Sequence, residues 1–207
     1  MSSDSKGRFF LSEGEERLLR AVDECRFDVI KSEVRPGFNL NFATSENNNS
    51  LLQALMHRHT HPKALDILDY LVAHGADVNK QDLRGDTALH VAIAERSYPM
   101  VERLVEHGAD VNAGHTTATT PLGEAVRWAA FENGDRDFGS SIALLLLENG
   151  ADATLVDREG RTALDRCVQP KSFLRTLIDA TYHKKERSHA ENVLSKDGPL
   201  PSVGFPR

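Results

Sequence analysis

A five-residue phrase recurs along this 207-residue chain, and its recurrence limits the fold more than any other feature. Gly75-Ala76-Asp77-Val78-Asn79, Gly108-Ala109-Asp110-Val111-Asn112 and Gly150-Ala151-Asp152-Ala153-Thr154 are variants of one another, and Gly37-Phe38-Asn39-Leu40-Asn41 is a degenerate fourth. The leading glycines stand 38, 33 and 42 residues apart. A second phrase keeps step with the first: Thr87-Ala88-Leu89-His90-Val91-Ala92, Thr120-Pro121-Leu122-Gly123-Glu124-Ala125 and Thr162-Ala163-Leu164-Asp165-Arg166-Cys167, with Ser50-Leu51-Leu52-Gln53-Ala54-Leu55 as a weaker relative. Two registers advancing together describe a stack of similar small units. No such unit buries its apolar face alone, so each is stabilised by its neighbours.

The chemistry within a unit follows from its residues. Thr87, Thr120 and Thr162 stand where a hydroxyl accepts a free N–H at a helix start, and Pro121 occupies the first helical position, which tolerates it. Leu89, Leu122 and Leu164 are expected to fill the core, while the small Ala92, Ala125 and Cys167 let neighbouring helices approach. A second helix follows, apolar at helical spacing through Leu68-Leu71-Val72, Val101-Leu104-Val105 and Ile142-Leu145-Leu146. Gly75, Gly108 and Gly150 then fall where the chain leaves the helix in a left-handed conformation that penalises a Cβ. Asp82-Leu83-Arg84-Gly85 and Asp157-Arg158-Glu159-Gly160 carry turn chemistry. The charged Glu15, Glu16, Arg17, Arg20, Asp23 and Glu24 suit an end unit that faces water.

These phrases resemble the ankyrin repeat, whose pattern contains T-P-L-H-x-A, a second helix and a glycine-led hairpin. The resemblance covers residues 15–182 as units 15–44 (degenerate), 45–81, 82–114, 115–156 and 157–182 (truncated). It implies an all-α repeat solenoid with short hairpin or turn loops, an N-terminal extension over 1–14 and a C-terminal tail over 183–207. The tail contains Pro199, Pro201 and Pro206 and has a formal charge of +2, a composition that predicts disorder.

The units depart from one length. From the cap hydroxyl to the closing glycine there are 21 residues in the third unit, 25 in the second and 30 in the fourth, which puts insertions of four and nine at His57–Lys63 and roughly Ala130–Gly139. Both are expected as loops between paired helices, the larger one mobile at Asn133-Gly134-Asp135. His57, His59 and His61 lie in the first insertion and raise a remote metal-enzyme reading. Residues two apart face different ways, Arg58 repels a cation, and the run holds no carboxylate or thiolate, so no metal site is expected. The chain shows no nucleophile elbow, phosphate loop or H-E-x-x-H, so neither catalytic residues nor a cofactor are expected.

Charge and hydropathy narrow the partners. The longest apolar run, residues 142–147, is too short to cross a bilayer. No signal peptide or myristoyl site is read at the N-terminus. A net charge of −6 argues against nucleic acid, and two cysteines suit a reducing compartment, so a cytoplasmic monomer is expected.

The ankyrin resemblance implies a non-enzymatic module, an adaptor or inhibitor, that binds a protein on a concave face lined by turn tips and first helices. By register, Arg84, Asp86, Thr117, Arg158 and Arg161 lie on tips, and Arg58, Glu95, Arg127 and Trp128 on helices. Arginines around a lone tryptophan suggest a partner with an acidic segment and an apolar anchor. Alternatively, Trp128 packs against the larger insertion with Phe131 and Phe138. The D-V-N phrases also resemble the leucine-spaced pattern that asparaginyl hydroxylases modify in animal ankyrin proteins, which would make Asn79 and Asn112 substrates. The repeat register carries its own test: Gly108→Val should cost about 1–2 kcal/mol, because a β-branched residue is penalised in left-handed geometry. An unchanged denaturation midpoint would refute the turn at that position.

Overall fold

In the computed structural model the described residues are 2–3, 9–45, 47–114, 119–130 and 136–166. Thr117, Glu46, Phe131, the Asn133-Gly134-Asp135 turn, Cys167 and the tail lie outside them. Two two-residue strands, β1 (Ser2–Ser3) and β2 (Phe9–Phe10), pair antiparallel. All the other described elements are helices: α1 (Glu13–Asp23), α2 (Phe27–Glu33), α3 (Leu51–Met56), α4 (Ala64–Ala73), α5 (Ala88–Ala94), α6 (Tyr98–Glu106), α7 (Pro121–Ala130), α8 (Arg136–Glu148) and α9 (Ala163–Arg166). The odd-numbered helices pack in sequence order, each on the next, and α4, α6 and α8 form a second row over them. The result is an all-α repeat solenoid with one continuous core.

Each first helix is started by its cap. Ser12 with Glu15, Ser50 with Gln53, Thr87 with His90 and Thr162 with Asp165 form reciprocal caps, in which each partner's side chain serves the other's backbone. Thr120 accepts the N–H of Gly123 at 3.0 Å. The Ser12 cap starts α1 at Glu13, two residues before the first unit boundary drawn from the repeat. Leu89 and Leu122 are buried in the core, as are Ala92 and Ala125, whereas Leu164 is half-buried.

The glycine-led phrase is where units join. Asn41 donates its amide to Gly75 O (3.0 Å) and accepts the N–H of Asp77 (2.7 Å). Asn79 makes the same two bonds to Gly108 O and the Asp110 N–H, and Asn112 to Gly150 O and the Asp152 N–H. The carboxylates of Asp77, Asp110 and Asp152 each accept the N–H two residues on, so they hold the turn. Gly108 has φ +81° with open space where a Cβ would stand, so conformation alone selects glycine there.

The smaller insertion is a run of turns between α3 and α4. The larger one is helical at both its ends, with Ala130 in α7 and residues 136–139 in α8, and its centre, residues 131–135, lies outside the described residues. α7 and α8 have 10 and 13 residues against 7 and 9 in α5 and α6, so added helical turns absorb most of the extra chain. Gly139 is therefore not a loop glycine but a crossing point within α8, where a Cβ would come within 2.7 Å of Ala125 O. Helix extension pairs backbone groups of the described added residues, which a loop would leave to water.

Replacing Asn79 with alanine removes both bonds to the next unit and should destabilise the stack by about 1–2 kcal/mol. Native-state hydrogen exchange should show the Asp110 amide losing protection while the Asp77 amide, held by Asn41, keeps it. Equal protection of the Asp110 amide in variant and wild type would remove the bridge from the account.

Candidate protein-binding face

The turn tips are tied to the first helices behind them. Gln53 donates to Asp86 O (3.0 Å), and His90 Nε2 lies 2.8 Å from Thr119 O while its Nδ1 accepts the Thr87 N–H. Burial pushes the His90 imidazole below its usual range, against the pull of Asp86 and the Thr119 carbonyl. Neutral histidine is the form that accepts at one nitrogen and donates at the other. Gly114 leaves room for the ring, since a Cβ there would stand 3.0 Å from His90 Nε2.

The fourth unit has Gly123 at the corresponding position, and the fifth unit reaches back instead. The stem of Arg166 passes over Gly123, and its guanidinium binds Asp157 through Nε at 2.8 Å and also through Nη2, which stands 3.5 Å from Thr119 Oγ1. This pair is buried, with Asp157 at 1% and Arg166 at 11% side-chain exposure. Burial raises the Asp157 carboxyl, but the Arg161 N–H and the Arg166 guanidinium outweigh it and hold the group below the usual carboxylate range.

An open pocket of about 240 Å³ spans three tips. Its walls are Arg84 and Asp86 of the third unit, Thr119 of the fourth, and Asp157, Arg158, Glu159 and Arg166 of the fifth. Arg84, Asp86 and Arg158 are thus gathered as sequence register suggested, while Arg166 carried no signal except being a cation where the third unit has Val91. Asp86 stands 3.3 Å from Arg84, and Arg161 pairs with Glu159 beside the pocket.

Trp128 does not line this pocket. It is half-buried against the core, its N–H is buried without a hydrogen-bond partner, and Arg96 from the α5–α6 turn lies over its ring at 5.6 Å. The tip arginines are not its cations, and Arg96 was not among the residues read from sequence. Phe138 packs on the same core. Arg127 pairs with Glu124, Glu95 holds His57 at 2.7 Å, and Arg58 is exposed at the end of α3.

The three histidines of the smaller insertion turn apart. His57 meets Glu95, His59 Nδ1 meets Met56 O, and His61 accepts the Lys63 N–H. Among the described residues no three His, Cys, Asp or Glu side chains converge in a way that would hold a metal. No helix among them is long and apolar enough to cross a membrane. Asn79 and Asn112 have both ends of their amides engaged by the next unit. A family model described as ankyrin repeats (3 copies) matches the chain over residues 18–115 and 61–157.

The buried pair at Asp157 gives a pH-dependent test. The folded carboxyl sits below its unfolded value, so its stabilisation is full above about pH 3.9 and is lost as pH falls from there through the folded value. Asp157→Asn should cost about 1–3 kcal/mol at pH 7 in urea unfolding, and the gap from wild type should narrow progressively as pH is lowered below about 3.9. A gap that persists unchanged in acid would mean that shape, not charge, holds Arg166.

Proposed function

Because the chain belongs to the ankyrin-repeat family, whose repeats generally mediate protein–protein interaction, we propose that it is a non-enzymatic module holding a protein partner in its concave face. The supporting observation is the pocket shared by three successive tips, which a segment lying across the stack would reach at once. The buried Asp157–Arg166 pair and the His90 bridge fix those tips before any partner arrives, and such preorganisation lowers the ordering cost of binding. The proposed face continues from Arg84, Asp86, Arg158 and Arg161 to the helix ends at Arg58, Glu95, Arg127 and Trp128. We place Thr117 on the same face by its register alone. The module acts as a cytoplasmic monomer, an adaptor or inhibitor, on a partner whose acidic segment meets these arginines.

Affinity capture followed by mass spectrometry tests the reading. The full chain and an outer-face variant, Glu102→Lys on α6, should retain the same protein. Arg84→Glu combined with Arg158→Glu should lose it, with melting temperature unchanged within about 2 °C because both side chains are exposed. Equal capture by the double variant would move the binding surface elsewhere.

A further inference from the structure

The pocket between the tips has an uneven charge account. Each carboxylate in its wall already has a cation: Asp86 has Arg84, Asp157 has Arg166, and Glu159 has Arg161. Arg158 is exposed and, among the described residues, has no carboxylate. A lysine or arginine from a partner would have to break an existing pair to be neutralised here, whereas a carboxylate would not. Thr119 Oγ1 stands as acceptor towards Arg166, which leaves its hydroxyl hydrogen for an incoming acceptor.

Apolar surface lies beside the same walls. Three large hydrophobic side chains are exposed among the described residues, and two of them are sequence neighbours of pocket residues: Leu83, at 69% exposure, precedes Arg84, and Val156, at 47%, precedes Asp157. The third, Tyr98, begins α6. Two exposed aliphatic side chains thus stand on the same tips as the pocket's charges and are available to a segment that lies across them.

We propose that the partner segment places an aspartate or glutamate carboxylate on Arg158 and the Thr119 hydroxyl, with aliphatic neighbours seated on Leu83 and Val156. This assignment rests on the reading of the chain as a protein-binding module, and it specifies which chemistry the tips select. A guanidinium takes a carboxylate through two parallel bonds, so direction as well as charge is read. Trp128 lies outside this recognition unit.

The test pans the full chain against displayed random dodecapeptides and measures synthetic copies of enriched sequences by fluorescence anisotropy. Enriched peptides should share an acidic residue next to Leu, Ile or Val. Arg158→Glu should weaken them at least about tenfold, as should replacing the peptide acid by its amide, and changing that acid to lysine should restore binding to Arg158→Glu. Arg35→Glu, the same charge change on the first unit, should leave affinity unaltered. Phosphoserine in place of the acid should not improve affinity; a tenfold gain would overturn the carboxylate assignment. Enriched peptides that bind Arg158→Glu as well as wild type, yet fail on Arg84→Glu, would overturn the assignment while the module reading stands. A library that yields no binder to the full chain would overturn both.

Discussion

One amide per unit keeps this stack in register. Asn41, Asn79 and Asn112 each carry a donor and an acceptor at fixed spacing, and the next unit offers them a glycine carbonyl and the N–H two residues later. The left-handed glycine is what turns those two groups towards the preceding unit. The aspartate then accepts the N–H of its own unit's asparagine, which points that amide forward. Glycine receives, aspartate orients and asparagine reaches, so the phrase recurs because its residues perform one linkage together. Thr154 ends the series, since its hydroxyl turns back to Asp152.

A second linkage operates at the tips, and it changes direction partway along. Gln53 and His90 cap their own helices and reach forward to the next tip. Gly123 has no side chain to do so. The space it leaves admits the stem of Arg166, which comes backward from the fifth unit to Asp157 and the edge of Thr119. A buried carboxylate therefore substitutes for a buried imidazole as the fixed point of a tip. The same unit carries the lengthened α7 and α8, whose close crossing requires Gly139. Both departures use glycine to admit a neighbour rather than to turn the chain.

What the sequence made legible was whatever depends on local spacing. The cap hydroxyls, the closing glycines, the paired helices and the position of both insertions follow from counting between phrases. Ser12 and Glu15 carry a cap signature as well, but the boundary drawn between residues 14 and 15 split the pair, leaving Ser12 in the extension and Glu15 in the first unit. The fate of the larger insertion was hidden because helical and loop residues differ little over so short a stretch, and the outcome depended on whether Gly139 could meet Ala125. Register put Trp128 on a first helix without showing which cation would cover it. That was settled by Arg96, which occupies a turn at φ +59°. Arg166 was illegible for the same reason: its partner lies nine residues before it and the space it needs lies in the preceding unit.

The charges on the concave side divide into two kinds by burial, and the division bears on recognition. Exposed pairs such as Arg84–Asp86 and Arg161–Glu159 contribute little to stability, because water screens them and long side chains lose freedom in forming them. Their carboxylates are already matched by cations, so in the proposed recognition the position of each charge matters more than the sum. The Asp157–Arg166 pair is different. Opening it would leave a desolvated carboxylate behind, which costs far more than an exposed pair returns. That inertness ties the fourth unit's Thr119 to the fifth unit's Asp157 through Arg166, beside which Arg158 stands. In the proposed recognition the tips are thus held by a buried carboxylate–guanidinium pair, while the exposed charges around it remain for the partner.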